Sequence, residues 1–414
     1  MRFLHLADLH FGKSIYGTSL LENGDQPAWV DRFLTLAEEV KPDAVVIAGD
    51  VYDRSAPSGE AVQLLSRMLT ALHALDIPVL ICAGNHDSVQ RLSFLSPLLA
   101  RESLYISASL SDSPLLSHVT LEDGHGPVTF WLMPYVFPAL VAQALGEERF
   151  SDSDAAVRAL LSRQGVDFSQ RNVLIAHQNV TAGGAEAERG GSESMVGGVG
   201  QIDYTAFDGF DYVALGHIHA AYPVGREAVR YAGSPLCYHF NETKQPAKGP
   251  VLVELGAKGE SVKTETLVLP PLHPMRELRG GYGALRDAAL SDTGRGEYLR
   301  IVLTDRRVSP EISAFFHELY ESRGSIVMEL CADYEQFTGE TGSLSRGDVE
   351  QKSVDALFGD FYTERAGGVP PTDEDAALLN CAGELLSHAD AHSAPTERDI
   401  QKLLDFLSEQ EARA

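Results

Sequence analysis

Asp8 and His10 stand two residues apart, and so do His217 and His219. Residues i and i+2 of an extended segment point to the same side, so each pair can aim two ligands one way. Asp50 follows Gly49, the trio Asn85, His86 and Asp87 follows Gly84, and His177 closes the run "NVLIAHQ". Glycines beside these residues permit tight turns and close backbone approach. Asp8, His10, Asp50, Asn85, His177, His217 and His219 together offer two carboxylates, four imidazoles and one amide. That donor set excludes a structural cysteine site. It exceeds what one tetrahedral ion takes and suits two ions sharing a carboxylate, with Asp50 the natural bridge. Two ions about 3.5–4 Å apart activate water and clamp both oxygens in phosphoryl transfer. Mixed nitrogen and oxygen ligation suits Mn2+, and iron or zinc also fits. Singly, each residue reads as an ordinary strand-end or turn residue. The ordered set does not.

Something must bring these residues together. Short apolar runs at 2–8, 43–50, 77–85, 128–134, 172–178, 211–219 and 251–255 read as strands, and the site residues fall at five of their carboxyl ends. Functional groups gather there in open α/β sheets. Near-continuous apolar strands are buried on both faces. Between them, 28–40 and 59–75 carry apolar residues at helical spacing, including Trp29, Phe33, Leu65, Leu69 and Leu72. Strands alternating with helices predict a layered α/β domain. The seven-glycine stretch 181–201 reads as a long loop. Pro270 and Pro271 mark a boundary. Beyond them, strands at 297–305 and 325–333 flank a helix at 310–323. A polar linker over 335–350 and helices at 353–364, 373–388 and 396–412 follow.

A net charge of −26 argues against a surface that grips nucleic acid everywhere, since phosphate binding rests on Lys and Arg. A local groove, bound metal or a partner would have to supply that attraction. Residues 351–414 hold 13 acidic and 5 basic side chains, which suits a protein partner better than DNA. The four cysteines, Cys82, Cys237, Cys331 and Cys381, are far apart and suggest neither a zinc knuckle nor a disulfide framework. With no signal-peptide pattern and no apolar run of the length a membrane span needs, a soluble, cytoplasmic protein is expected.

The set Asp8-Leu9-His10, Gly49-Asp50, Gly84-Asn85-His86-Asp87, His177 and Gly216-His217-Ile218-His219 resembles the calcineurin-like metallophosphoesterases. That resemblance implies an α/β, four-layer sandwich whose two-sheet core is flanked by helices, plus a small α/β capping domain and C-terminal helices. The stretches "FLHLADLHFGKSIYG", "AGDVYDRSAPS", "SESMVGG" and "YAGSPLCYHFNE" are similar to the SbcD branch, nuclease subunits of bacterial SbcCD complexes. "SVDALFGDFYTER" at 353–365 is similar to the segment that docks on the ATPase partner in that branch. The implied domains are a nuclease domain over 1–270, a capping and DNA-recognition domain over 271–340, and a linker with docking helices over 341–414.

The same resemblance implies the roles. Asp8, His10, Asp50 and His219 would hold one ion, and Asp50, Asn85, His177 and His217 the other. His86 would protonate the leaving oxygen, with Asp87 orienting it. Asp53 stands where archaeal and eukaryotic counterparts have a histidine; it would either bind a metal-linked water from a supporting place around the metals or contribute nothing to the chemistry. The implied activity is Mn2+-dependent cleavage of DNA, as an exonuclease on duplex ends and an endonuclease on single strands and hairpins. It would serve repair and recombination. The implied partners are an SbcC-like ATPase, DNA and a second copy, as a homodimer within a heterotetramer. A stand-alone phosphodiesterase acting on small phosphoesters is the alternative.

Overall fold

A strand such as Ala44–Ala48, AVVIA, has no polar side to turn toward water, and every residue in it is buried. Its side chains alternate between two apolar layers. Val45 and Ile47 pack with Trp29, Phe33, Leu65, Met68 and Leu72 of the helices Asp25–Val40 and Gly59–Ala74. Ala44, Val46 and Ala48 pack with Phe130, Leu132, Val173 and Ile175 of a second sheet. These layers appear in a computed structural model that describes residues 1–110, 114–183, 200–245 and 248–333.

The first sheet has six strands in the spatial order Lys263–Thr266, Val251–Glu254, Arg2–Leu6, Ala44–Ala48, Val79–Cys82 and Leu104–Ser107. Its last four are parallel and the first two antiparallel. The second sheet runs Pro223–Val224, Arg226–Tyr231, Tyr212–Gly216, Arg171–His177, Gly126–Met133 and Ser117–Asp123. Its outer face is covered by Pro138–Leu145 and Ser153–Ser162, through Val141, Ala156, Val157 and Leu160. The layers are helix, sheet, sheet, helix: the calcineurin-like α/β sandwich expected from the motifs.

The expected strands all form, and Arg2–Leu6, Ala44–Ala48, Val79–Cys82 and Tyr212–Gly216 are shorter than their apolar runs because their carboxyl ends turn into site loops. The strand Tyr212–Gly216 stops before His217. Beyond Pro271, Met275–Gly280, Tyr298–Leu303 and Ile326–Ala332 make a parallel three-stranded sheet with helices Tyr282–Ser291 and Pro310–Glu321. This segment belongs to the compact unit Met1–Asp333. Arg32 donates to the Pro270 carbonyl, and Tyr298 donates to Asp25 at 2.5 Å. The linker at 335–350, the helices expected beyond it with the docking segment 353–365, and most of the glycine-rich stretch 181–201 lie outside the described residues. Cys82, Cys237 and Cys331 are free. Among the described residues no helix is long and apolar enough to cross a membrane.

Candidate metal centre

Where the strands end, the backbone leaves ordinary conformations. Asp8, His10, Asp50 and His217 all have left-handed φ, at 54°, 42°, 48° and 105°. Non-glycine residues avoid this region, which costs on the order of 1–3 kcal/mol each and persists only when surroundings enforce it. Here they do. Asp8 N–H donates to Gly49 O at 3.1 Å and His10 N–H to Asp50 O at 2.9 Å, lacing the first two loops together. Tyr238 O–H donates to Leu9 O at 2.9 Å, and the buried amide of Gln26 donates to His10 O at 2.8 Å while accepting from Gly12 N–H. The glycines are steric necessities. A β-carbon at Gly84 would overlap Asp50 Oδ1, at Gly216 the Ala48 carbonyl, and at Gly49 the His177 ring.

These loops gather all seven predicted ligands. Asp50 is central: its Oδ2 lies 3.3 Å from His177 Nε2 and 3.5 Å from His10 Nε2, and its Oδ1 accepts from His86 N–H at 2.9 Å. Asn85 Oδ1 lies 3.0 Å from His177 Nε2 and 3.2 Å from His217 Nδ1. Ligand atoms of Asp8, His10 and His219 lie within 4.8 Å of one another, as do those of Asp8, Asp50 and His177. Asp8 also accepts from His217 N–H, at 3.0 and 3.2 Å.

His86 and Asp87 divide their work differently from the expectation. The carboxylate of Asp87 is taken up by three backbone N–H groups, of Val51, Tyr52 and Gly84, at 3.1, 3.0 and 2.9 Å. The His86 ring donates from Nδ1 to the backbone carbonyl of Asp53 at 2.9 Å. The orienting contact given to Asp87 is therefore made by the Asp53 carbonyl. Asp87 acts a step back, clamping the Asp50 loop to the Gly84 turn. A carboxylate beside free N–H groups is drawn to them first, and sequence spacing could not reveal that the next loop presents three.

The electrostatics follow from burial of so many polar groups. Burial pushes Asp8 and Asp87 each up to about 6. It pulls His10 down to about 4 and His217 to about 3. Burial would also raise Asp50 and lower His177, but their mutual attraction wins and holds Asp50 well below the usual carboxylate range and His177 above the usual imidazole range. Asp50 and His177 thus hold each other in the charged form.

Five supporting residues were not singled out from sequence: Lys13, Gln26, Tyr238, Glu242 and Lys248. Lys13 Nζ donates to Asp53 at 2.7 Å. Glu242 is fully buried, 3.5 Å from His219 Nδ1 and 2.8 Å from Lys248 Nζ. Lys13 and Glu242 fall inside the stretches similar to the SbcD branch, but their partners are distant in sequence.

Residues 1–221, which carry every motif, match the family model described as Calcineurin-like phosphoesterase. Residues 271–366 match the one described as Type 5 capsule protein repressor C-terminal domain. Two curated relatives, each named as the SbcD component of an SbcCD nuclease, are 32% identical to this chain. The protein of Staphylococcus saprophyticus aligns over 307 residues, 73% of this chain and 78% of its own length. That of Staphylococcus epidermidis aligns over 315 residues, 74% and 79%.

The chain belongs to the SbcD family of calcineurin-like phosphoesterases. It is a metal-dependent hydrolase of the nuclease type. The residues of this SbcD-family site fit divalent metal. Neither ring nitrogen of the buried His10 has a hydrogen-bond partner, and both face carboxylate oxygens at 3.4–3.5 Å. Buried nitrogens left so are costly unless something occupies the gap. Hard oxygen donors mixed with imidazoles suit a divalent cation.

Proposed function

We propose that this chain hydrolyses DNA phosphodiesters with two divalent ions, Mn2+ the best match, as the nuclease component of a complex with an SbcC-like ATPase. The observation that carries the reading is the Asp50 carboxylate, shared between His10 on one side and His177 on the other. Asp8, His10, Asp50 and His219 hold one ion, and Asp50, Asn85, His177 and His217 the other. When bound, the pair supplies an activated water and charge stabilisation for phosphoryl transfer. The protein's own residues do the rest. Gly49, Gly84 and Gly216 let the loops close until the donors converge. The His177 ring donates from Nδ1 to Ala48 O at 2.8 Å, which turns Nε2 toward Asp50 and Asn85, where it would act as a ligand. His86 is pinned through Nδ1 and presents Nε2, from which a proton passes to the leaving oxygen.

The finer activities proposed are exonuclease action on duplex ends and endonuclease action on single strands and hairpins, in repair and recombination. The overall charge of −26 supports a partner that supplies much of the DNA-binding surface. The segment 353–365 is proposed to dock on that ATPase, and 271–340 to cap the site and contact DNA. A homodimer is supported by an apolar face: Val62, Phe94, Leu95 and Leu98 are exposed, Phe94 by 70%, beside a cleft of about 440 Å3. Asp50→Ala and His86→Ala separate the roles. Asp50→Ala should lose Mn2+ and turnover together, and His86→Ala turnover alone. If Asp50→Ala retains both ions, the bridge is wrongly assigned.

A further inference from the structure

His10 and His219 are backed by the same three-part arrangement. His10 Nδ1 lies 3.4 Å from Asp53 Oδ1, which accepts from Lys13 Nζ at 2.7 Å. His219 Nδ1 lies 3.5 Å from Glu242 Oε1, and Lys248 Nζ pairs with Glu242 Oε2 at 2.8 Å. The two arms come from distant parts of the chain. The other two histidines stand differently. His177 Nδ1 donates to a neutral backbone carbonyl, and His217 Nδ1 faces Asn85. Burial follows this division in part: Asp8, His10 and His219 are buried, and on the other side His177 is buried too, while Asn85 is exposed and His217 partly so.

A carboxylate behind a ligand imidazole fixes its tautomer and makes it more basic. A carbonyl fixes the tautomer but adds no charge. Yet two extra carboxylates beside an anionic substrate would repel it. The lysines meet that difficulty, each placing an ammonium on the carboxylate.

We propose that Asp53–Lys13 and Glu242–Lys248 are matched supports for one ion. Each carboxylate strengthens a ligand histidine, each lysine cancels that carboxylate's charge toward the phosphodiester, and the ion held by Asp8, His10 and His219 binds more tightly than its neighbour. The inference rests on the ligand assignment above. It makes Asp53 and Lys13 positioning residues whose loss acts in opposite directions on metal and substrate.

Mn2+ titration of the full chain, followed by the EPR signal of free Mn2+, tests it. Wild type should take up two ions in separable steps. Asp53→Asn should weaken the tighter step by about 10–100-fold and leave the weaker step unchanged. Lys13→Met should hold the tighter ion at least as well as wild type, yet raise KM for a single-stranded oligonucleotide several-fold with kcat little changed. Lys13→Arg should restore KM. Lys13 is the lysine to change because its pair with Asp53 is partly exposed, unlike the buried Glu242–Lys248 pair. Two equal steps, or Asp53→Asn and Lys13→Met weakening Mn2+ alike, would overturn the proposal. No uptake by wild type, or Asp50→Ala binding both ions as wild type does, would instead overturn the ligand assignment beneath it.

Discussion

His86 is held by the protein through one ring nitrogen. Because only Nδ1 is tied, to the Asp53 carbonyl, truncation should spare the metal. His86→Ala is predicted to lower turnover by about 10²–10⁴-fold while Mn2+ content, measured by metal analysis, stays that of wild type. Normal cleavage by this variant would remove His86 from the acid role. Glu242 carries a second expectation. Burial would raise its carboxyl, but His219 and Lys248 outweigh that and hold it at about 2, below its ordinary 4.5. A depressed folded value stabilises above the unfolded value and is lost as pH falls through the folded one. The stability Glu242 adds, up to about 3 kcal/mol, should therefore be present above pH 4.5 and vanish toward pH 2. Thermal unfolding with chelator, wild type against Glu242→Gln, should show a gap in Tm that closes over that window. At this scale the candidate ligands stood out because metals need particular donors and these recur at strand ends. The contacts of Asp87, and Glu242 and Lys13 altogether, did not, because their work is set by whatever the fold brings opposite them.

Helix Asp25–Val40 does more than cover the sheet. Its first residue accepts from Tyr298 and pairs with His273 at 3.0 Å, while its second holds the His10 carbonyl and Gly12 N–H. One turn of helix thus ties the 271–333 segment to a ligand loop. Gln26→Ala leaves the Gly12 N–H unpaired and takes one of two donors from the His10 carbonyl, which keeps only the Lys13 N–H, and should cost about 1–3 kcal/mol, with weaker Mn2+ binding; denaturant unfolding and metal titration read both. Unchanged metal affinity would show that the helix only packs. Strands buried on both faces, such as Ala44–Ala48, were plain in the sequence. Ser117–Asp123 was not, because it is an edge strand with most of its side chains exposed. Met275–Gly280 is only partly covered along its length and has no apolar run. The left-handed turns at Asp8, His10, Asp50 and His217 had no sequence signal either, because non-glycine residues adopt them only under tertiary constraint.

The whole molecule carries a charge that repels its proposed substrate and an apolar face that solvent should not see. Both point outward, to partners. Leu98 is 56% exposed beside Phe94. Leu98→Asp should therefore shift the full chain from dimer to monomer in light scattering without lowering Tm; a wild type already monomeric at tens of micromolar would rule the homodimer out. The central claim, DNA hydrolysis at a shared-carboxylate metal centre, is tested most directly by Mn2+-dependent cleavage of a single strand and a hairpin. The full chain would be assayed alone and with its ATPase partner, with bis-p-nitrophenyl phosphate alongside and Asp50→Ala as control. The predicted result is DNA cleavage that Asp50→Ala abolishes. Cleavage of the small ester with none of DNA in either preparation, or DNA cleavage that survives Asp50→Ala, would contradict it.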